Sequence, residues 1–312
     1  MGDIAHIGHA ELLTPQPDES LWFFEQVMGM EVEARQGESV YLRGFGDYER
    51  YCLKLTASPT SGLGHLALRA SSAAALERRV ADLERSGLGQ GWNDGDVGHG
   101  PAYRFQDPDG RQFEIYYETE RYKPSPELTP PMANQFQRRT GRGIGVRRLE
   151  HANFVSPDVR GCRLFLEQLG YRALEIINLD DGREYGAWLS ATIQGHEIIY
   201  IQESLPTRGR LHHLAFWVDT REEVLRAADL FQDQGIFIEA GPAKHTPIHS
   251  FYCYVYEPGG NRIEVTSGGY LVFDPDPAVT TIWNETQYKG SRAWGRGFPP
   301  SFDTYATPPL EG

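Results

Sequence analysis

The stretch VRRLEHANFVSPDVRGCRLFLEQLGY (146–171) decides the fold, because its pattern has already occurred once as IAHIGHAELLTPQPDESLWFFEQVMGM (4–30). Each copy opens as a β-rich run and turns at a Pro-Asp step. Each then enters a segment whose apolar residues share one helical face: Phe23, Phe24 and Val27 in the first, Phe165, Leu166 and Leu169 in the second. Working outward, GLGHLALRA (62–70) pairs with RLHHLAFWV (210–218), and AYRFQDPDGRQFEIYY (102–117) with CYVYEPGGNRIEVTS (253–267). Matches in the same order along the chain indicate an internal duplication. Between the copies, ETERYKPSPELTPPMANQFQRRTGRGIGV has four prolines and little apolar periodicity, so it reads as a linker. The boundary falls near residue 145, giving an N-terminal domain 1–145 and a C-terminal domain 146–312.

Each half divides again. Ala73, Leu76, Val80 and Leu83 mark a second helix in the first half; Val224, Ala228 and Phe231 mark one in the second. Short β-rich runs such as SVYLRGF, RYCLKLTA, EIIYIQE and FYCYVYE surround them, with DPDG and EPGG as turns before a closing strand. The expected architecture is α+β: two domains, each of two βαβββ modules, forming open, barrel-like mixed sheets with helices outside. The 312 residues suffice for two buried cores, and 40% hydrophobic with 23% charged residues is an ordinary globular balance. A net charge of −13 leaves no general basic surface for nucleic acid. No apolar run approaches the roughly 20 residues of a membrane span, and the start lacks a signal-peptide pattern, so a cytoplasmic protein is expected. Cys52, Cys162 and Cys253 are scattered and odd in number, which argues against a disulfide framework.

Histidine is scarcer and more informative, with ten residues. In the second half the repeat aligns His151 of LEHAN, one histidine of LHHLAF and Glu264 of NRIEV, each in an expected strand with apolar neighbours. A carboxylate in a core strand is costly without a partner such as Arg262 or a metal. Two imidazoles and one carboxylate leave half an octahedral shell open, the ligand set of non-haem Fe(II) oxygenases. Because His65 of GHLAL aligns with the second histidine of HHLAF, His213 is assigned to the metal and His212 to the opposite face.

These motifs, LEHAN, RLHHLAF, GPAKH followed by FYCY, and EPGGNRIEV, resemble the catalytic domain of the type I extradiol catechol dioxygenases of the vicinal oxygen chelate superfamily. The likeness extends over nearly the whole chain. It implies Fe(II) on His151, His213 and Glu264, a catecholic substrate, O2 as co-substrate, and a homotetramer. It also implies that His196, on the strand leading into the RLHH hairpin, acts as acid and base, which its unperturbed pKa near 6.5 suits. His245 and Tyr254 match residues that meet substrate oxygen, Trp188 and Asn153 match residues lining the pocket, and Arg292 is placed to meet a substrate carboxylate in a tail covering the mouth.

In the first half, His9, His65 and Glu114 occupy the repeat positions of the triad. The residue aligned with His196 falls near Tyr51 or Cys52, however, and nothing in GPAYRFQ supplies a counterpart of His245 and Tyr254. The first half therefore reads as catalytically silent, with no role for His6 or His99. Two other functions compete: a glyoxalase-type metal-dependent isomerase or lyase, and a non-enzymatic protein that sequesters a ligand.

Overall fold

In the computed structural model, which describes residues 2–310 except 275, 277, 278, 291–293 and 296, one unit of strand, helix and three strands occurs four times. The first comprises β1 (Ile4–Thr14), α1 (Pro17–Trp22), β2 (Glu31–Gln36), β3 (Ser39–Arg43) and β4 (Leu53–Ala57). The second comprises β5 (Gly62–Ala70), α2 (Ala73–Ser86), β6 (Gly89–Asn93), β7 (Ala102–Gln106) and β8 (Gln112–Tyr116). The third follows as β9 (Arg148–Ser156), α3 (Val159–Gln168), β10 (Arg172–Asn178), β11 (Glu184–Ser190) and β12 (Ile198–Gln202). The fourth is β13 (Leu211–Trp217), α4 (Arg221–Asp233), β14 (Ile238–Lys244), β15 (Ser250–Tyr256) and β16 (Arg262–Gly268). A tail adds β17 (Thr281–Asn284), α5 (Glu285–Gly290) and α6 (Pro300–Thr304).

Units one and two form an eight-stranded sheet, β2-β3-β4-β1-β5-β8-β7-β6. Units three and four, with β17, form a nine-stranded sheet, β14-β15-β16-β13-β9-β12-β11-β10-β17. In both, the first strands of paired units lie side by side and antiparallel at the centre. The α+β arrangement of open mixed sheets is thus the one the repeats imply. One detail differs: β12 does not turn directly into β13, because β9 lies between them, parallel to β12 and antiparallel to β13. RLHH therefore opens a central strand and belongs to no hairpin.

Side-chain caps start three of the helices. Ser72 caps α2 through Ala75 N, Asp158 caps α3 through Gly161 N, and Thr220 with Glu223 forms a capping box on α4. The α4 stripe is shifted by one residue from expectation: Val224, Ala227 and Phe231 are buried, while Ala228 packs at the edge. The first helix departs more. After Trp22 it widens into a π turn over Phe23–Val27, closed by Met28 N on Phe23 O at 2.9 Å. Both adjacent phenylalanines are fully buried, Phe23 stacked on Phe231 and Phe24 tilted against Phe216.

One core cluster spans both halves, including Ile144 and Val146 at the end of the linker. The three cysteines are free and buried. Among the described residues, no helix is long and apolar enough to cross a membrane.

Candidate metal centre and catalytic pocket

The register of the nine-stranded sheet assembles the site. Ala215 on β13 faces His151 on β9 and Glu264 on β16. His213 lies two residues before Ala215 and so projects to the same face. The outcome is a compact triangle: His151 Nε2 and His213 Nε2 are 2.9 Å apart, and Glu264 Oε2 lies 3.2 and 3.1 Å from them. All three side chains are buried, and neither Glu264 oxygen has a hydrogen-bond partner. Arg262, the alternative partner on the same strand, is engaged elsewhere, with Glu239 at 2.6 and 2.9 Å. Two ring nitrogens and an unsatisfied carboxylate facing one point form a donor set that fits a divalent transition metal.

Two residues without a role in the sequence reading hold this triangle in place. Glu150, next to His151, accepts a hydrogen bond from His151 Nδ1. His212 donates from Nε2 to Phe302 O at 2.8 Å, which leaves its Nδ1 to accept from His213 Nδ1 at 2.6 Å. A register shift between Leu211 and His213 breaks strict alternation, so His212 touches its neighbour rather than simply facing away. Both contacts leave the Nε2 lone pair of each ligand candidate aimed into the site. The signal for Glu150 was visible as a polar residue beside His151 in an apolar strand; that for His212 required the bulge and the tail.

Electrostatics separate the rings. Burial works against charge on all of them. It pulls His213 down to about 4 and His196 to about 3, whereas at His151 the carboxylates of Glu150 and Glu264 outweigh it and hold the ring up at about 9. Burial also opposes the Glu264 charge, but His151 keeps that carboxyl well below its usual range. A metal needs neutral imidazoles, so binding it would release the His151 proton.

Above the triangle lies a cavity lined in part by Asn153, Trp188, His196, His245, Tyr254 and Phe298. His196 is positioned by a turn and not, as expected, by a strand; it lies just before β12, with its ring centroid 4.3 Å from that of His151. The turn is held by buried Glu197, which accepts from Ser190 Oγ, Ala191 N and Thr192 N. His196 Nε2 sits 3.7 Å from Glu150, and its Nδ1 is buried without a partner. Opposite, His245 stacks on Tyr252 and meets the Tyr254 hydroxyl through Nε2 at 3.0 Å. Tyr254 is the cross-strand neighbour of Glu264, and burial together with that carboxylate raises its pKa well above the normal value. Trp188 packs among Val155, Ile199 and Ile201, and the Asn153 carbonyl oxygen is buried without a partner. Arg292 lies outside the described residues. Other tail residues, Tyr288, Phe298, Phe302 and Asp303, line the cavity.

With the geometry in hand, two blocks of the chain, residues 6–115 and 148–265, match one family profile, that of the Glyoxalase/Bleomycin resistance protein/Dioxygenase superfamily. The chain belongs to this superfamily. The paired match coincides with the internal duplication. The chain is 45% identical to the metapyrocatechase of Geobacillus stearothermophilus, over 98% of this chain and 94% of that protein. It is 35% identical to a manganese-dependent 2,3-dihydroxybiphenyl 1,2-dioxygenase of Geobacillus genomosp. 3, over 94% of each. The homoprotocatechuate 2,3-dioxygenase structure from Arthrobacter globiformis superposes with a TM-score of 0.86 at 28% identity, over 97% of this chain and 92% of that one. These relatives and the two-histidine, one-glutamate group make this superfamily member a metal-dependent dioxygenase of the extradiol type.

Proposed function

We propose that the chain cleaves catechol, or a substituted catechol, with O2 on the extradiol side, giving a 2-hydroxymuconic semialdehyde-type product. The work is assigned to the C-terminal half, 146–312, with 1–145 catalytically silent. The observation that carries this reading is the His151, His213 and Glu264 triangle at the floor of a cavity that also presents His196, His245 and Tyr254.

His151, His213 and Glu264 would hold the metal, proposed to be Fe(II). Fe(II) there supplies Lewis acidity toward the diol and an electron path between the ring and O2. The protein residues then handle protons and orientation. His196 lines the cavity beside His151 with an unpartnered Nδ1, so it is placed to take the proton of the second catechol hydroxyl and return it as the ring opens. Tyr254 remains protonated and offers its hydroxyl to a substrate oxygen, while His245, stacked on Tyr252, holds that hydroxyl in place. Trp188 and Asn153 wall the ring's position, and the apolar lining from Phe298 and Phe302 excludes water. Arg292 is assigned to a carboxylate on substituted substrates. A homotetrameric, cytoplasmic enzyme completes the proposal.

The test is to strip the protein, reload it anaerobically with Fe(II) or Mn(II), and add catechol in air while following oxygen uptake and yellow product. Turnover with Fe(II) supports the full assignment. Turnover with Mn(II) alone replaces the metal, as the name of the 35%-identical relative suggests. No oxygen uptake from any of a panel of catechols with either metal would sink the ring-cleavage reading.

A further inference from the structure

The N-terminal half carries a second convergence of histidines on a carboxylate, and its geometry is the more crowded of the two. The register is the same: Ala67 on β5 faces His9 on β1 and Glu114 on β8, with His65 two residues before Ala67. The parallel register also equates Tyr51 with His196, since Leu53 pairs with Ala10 as Ile198 pairs with Ala152. Arg104 stands opposite Glu114, where Tyr254 stands opposite Glu264. His99, in the β6–β7 connection, puts its Nε2 3.6 Å from Glu114 Oε1. His245, at the start of the β14–β15 connection, lies 3.7 Å from Glu264 Oε1. His99 is thus the counterpart of His245, which the sequence comparison missed because the connecting loops do not align.

Three ring nitrogens surround Glu114 Oε1: His9 Nε2 at 3.4 Å, His65 Nε2 at 3.5 Å and His99 Nε2 at 3.6 Å, with His9 and His65 only 3.1 Å from one another. All four residues are at least nine-tenths buried. The outer nitrogens are already occupied, His65 Nδ1 by Glu11 at 2.9 Å and His99 Nδ1 by the carbonyl of Gly100 at 2.9 Å. In a neutral ring those bonds leave Nε2 with only a lone pair, and His99 Nε2 has no hydrogen-bond partner. The Tyr51 hydroxyl can donate to His9 Nε2, but the remaining lone pairs and the carboxylate oxygen cannot all be satisfied by one shared proton. One divalent cation would satisfy them together: donors about 2.0–2.1 Å from a tetrahedral ion stand roughly 3.3 Å apart, close to the four separations just given, and His9, His99 and Glu114 each offer a ligand atom within 4.8 Å of the other two.

We propose that the N-terminal half binds a second divalent ion, zinc(II) or a similar imidazole-preferring first-row metal, through His9, His65, His99 and Glu114 as a closed structural centre. Glu11 and the Gly100 carbonyl orient two of the rings, and Arg104 faces the other Glu114 oxygen at 3.6 Å, leaving Oε1 to the metal. Tyr51 meets His9 Nε2 at 3.1 Å in the place an acid–base histidine would need, so the centre has no proton-transfer group corresponding to His196.

The test uses full-length chains and zinc(II) alone, and needs no ring-cleavage assay, so it stands whether or not the proposed activity does. His213→Ala removes a ligand of the C-terminal triangle; this chain should still retain about one zinc per chain after dialysis, by elemental analysis, and zinc should raise its melting temperature. Adding His99→Ala, or His99→Gln should the alanine variant misfold, should remove that zinc and its thermal effect while far-ultraviolet circular dichroism stays unchanged. If the His213→Ala chain retains no zinc, or if the retained zinc survives the His99 change, the second centre is refuted. Glu264→Gln in place of His213→Ala serves where the latter fails to fold.

Discussion

The two halves place the same three ligand types on the same register and differ in what surrounds them. In the C-terminal half the carboxylate's cross-strand neighbour is Tyr254, the residue ahead of the parallel strand is His196, and a cavity opens above. In the N-terminal half those positions hold Arg104 and Tyr51, and tyrosine rings close over the histidines: Tyr51 and Tyr116 pack against His9, and Tyr116 against His99. A ligand triangle is therefore a property of the duplicated sheet, whereas catalysis requires space and a proton carrier beside it.

The largest effect should come from removing a ligand on the catalytic side. His213→Ala should abolish catechol-dependent oxygen uptake, while the matching His65→Ala should leave turnover per folded chain unchanged; comparable losses from both would erase the functional distinction between the halves. Next, His196→Asn should lower kcat by about 10²–10⁴ while metal content by elemental analysis is retained. Metal loss in that variant would move His196 into the ligand set. Tyr254→Phe removes one hydroxyl next to Glu264 and should cost about 10- to 100-fold in kcat/KM, the equivalent of ~1–3 kcal/mol.

The smallest effect on chemistry, though not on stability, should come from the tail. Arg262 binds Glu239 and also donates to the carbonyls of His212, Ser301 and Tyr305, tying α6 to the back of the triangle. Its counterpart in the first half is Gln112, an uncharged residue paired with Gln106. Glu239→Gln leaves a buried guanidinium short of its counter-charge and should destabilise by about 3–5 kcal/mol, read by denaturant titration. Burial opposes the Glu239 charge, but Arg262 holds its pKa below the normal value. The clamp therefore contributes fully above the ordinary glutamate range, and its contribution is lost as pH falls through the depressed value. A pH series of melting curves should show that acid-side loss in the parent and a shallower one in Glu239→Gln.

Much of this is legible in the sequence. The four-unit order and the partnering of His151, His213 and Glu264 followed from periodicity and repetition, because strand alternation transmits sequence spacing directly into facing. Loops transmit no such rule. His99 and His245 are matched only through their distances to the two glutamates, and His196 is presented by a turn built on Glu197 rather than by a strand. The π turn at Phe23 packs against Phe216 and Phe231, residues about two hundred positions away.

The sequence by itself determined the duplication, the α+β class and which strand residues carry metal-binding chemistry, since each depends on local pattern and on a period of two. Only the tertiary structure decided that His212, held by the tail, braces His213, that Glu150 braces His151, and that a third histidine, His99, reaches Glu114. The Phe302 contact joins segments 90 residues apart, and the contacts between chain neighbours need side-chain directions that strict strand alternation does not give. Their formation depends on how buried polar groups find partners once the sheets have closed.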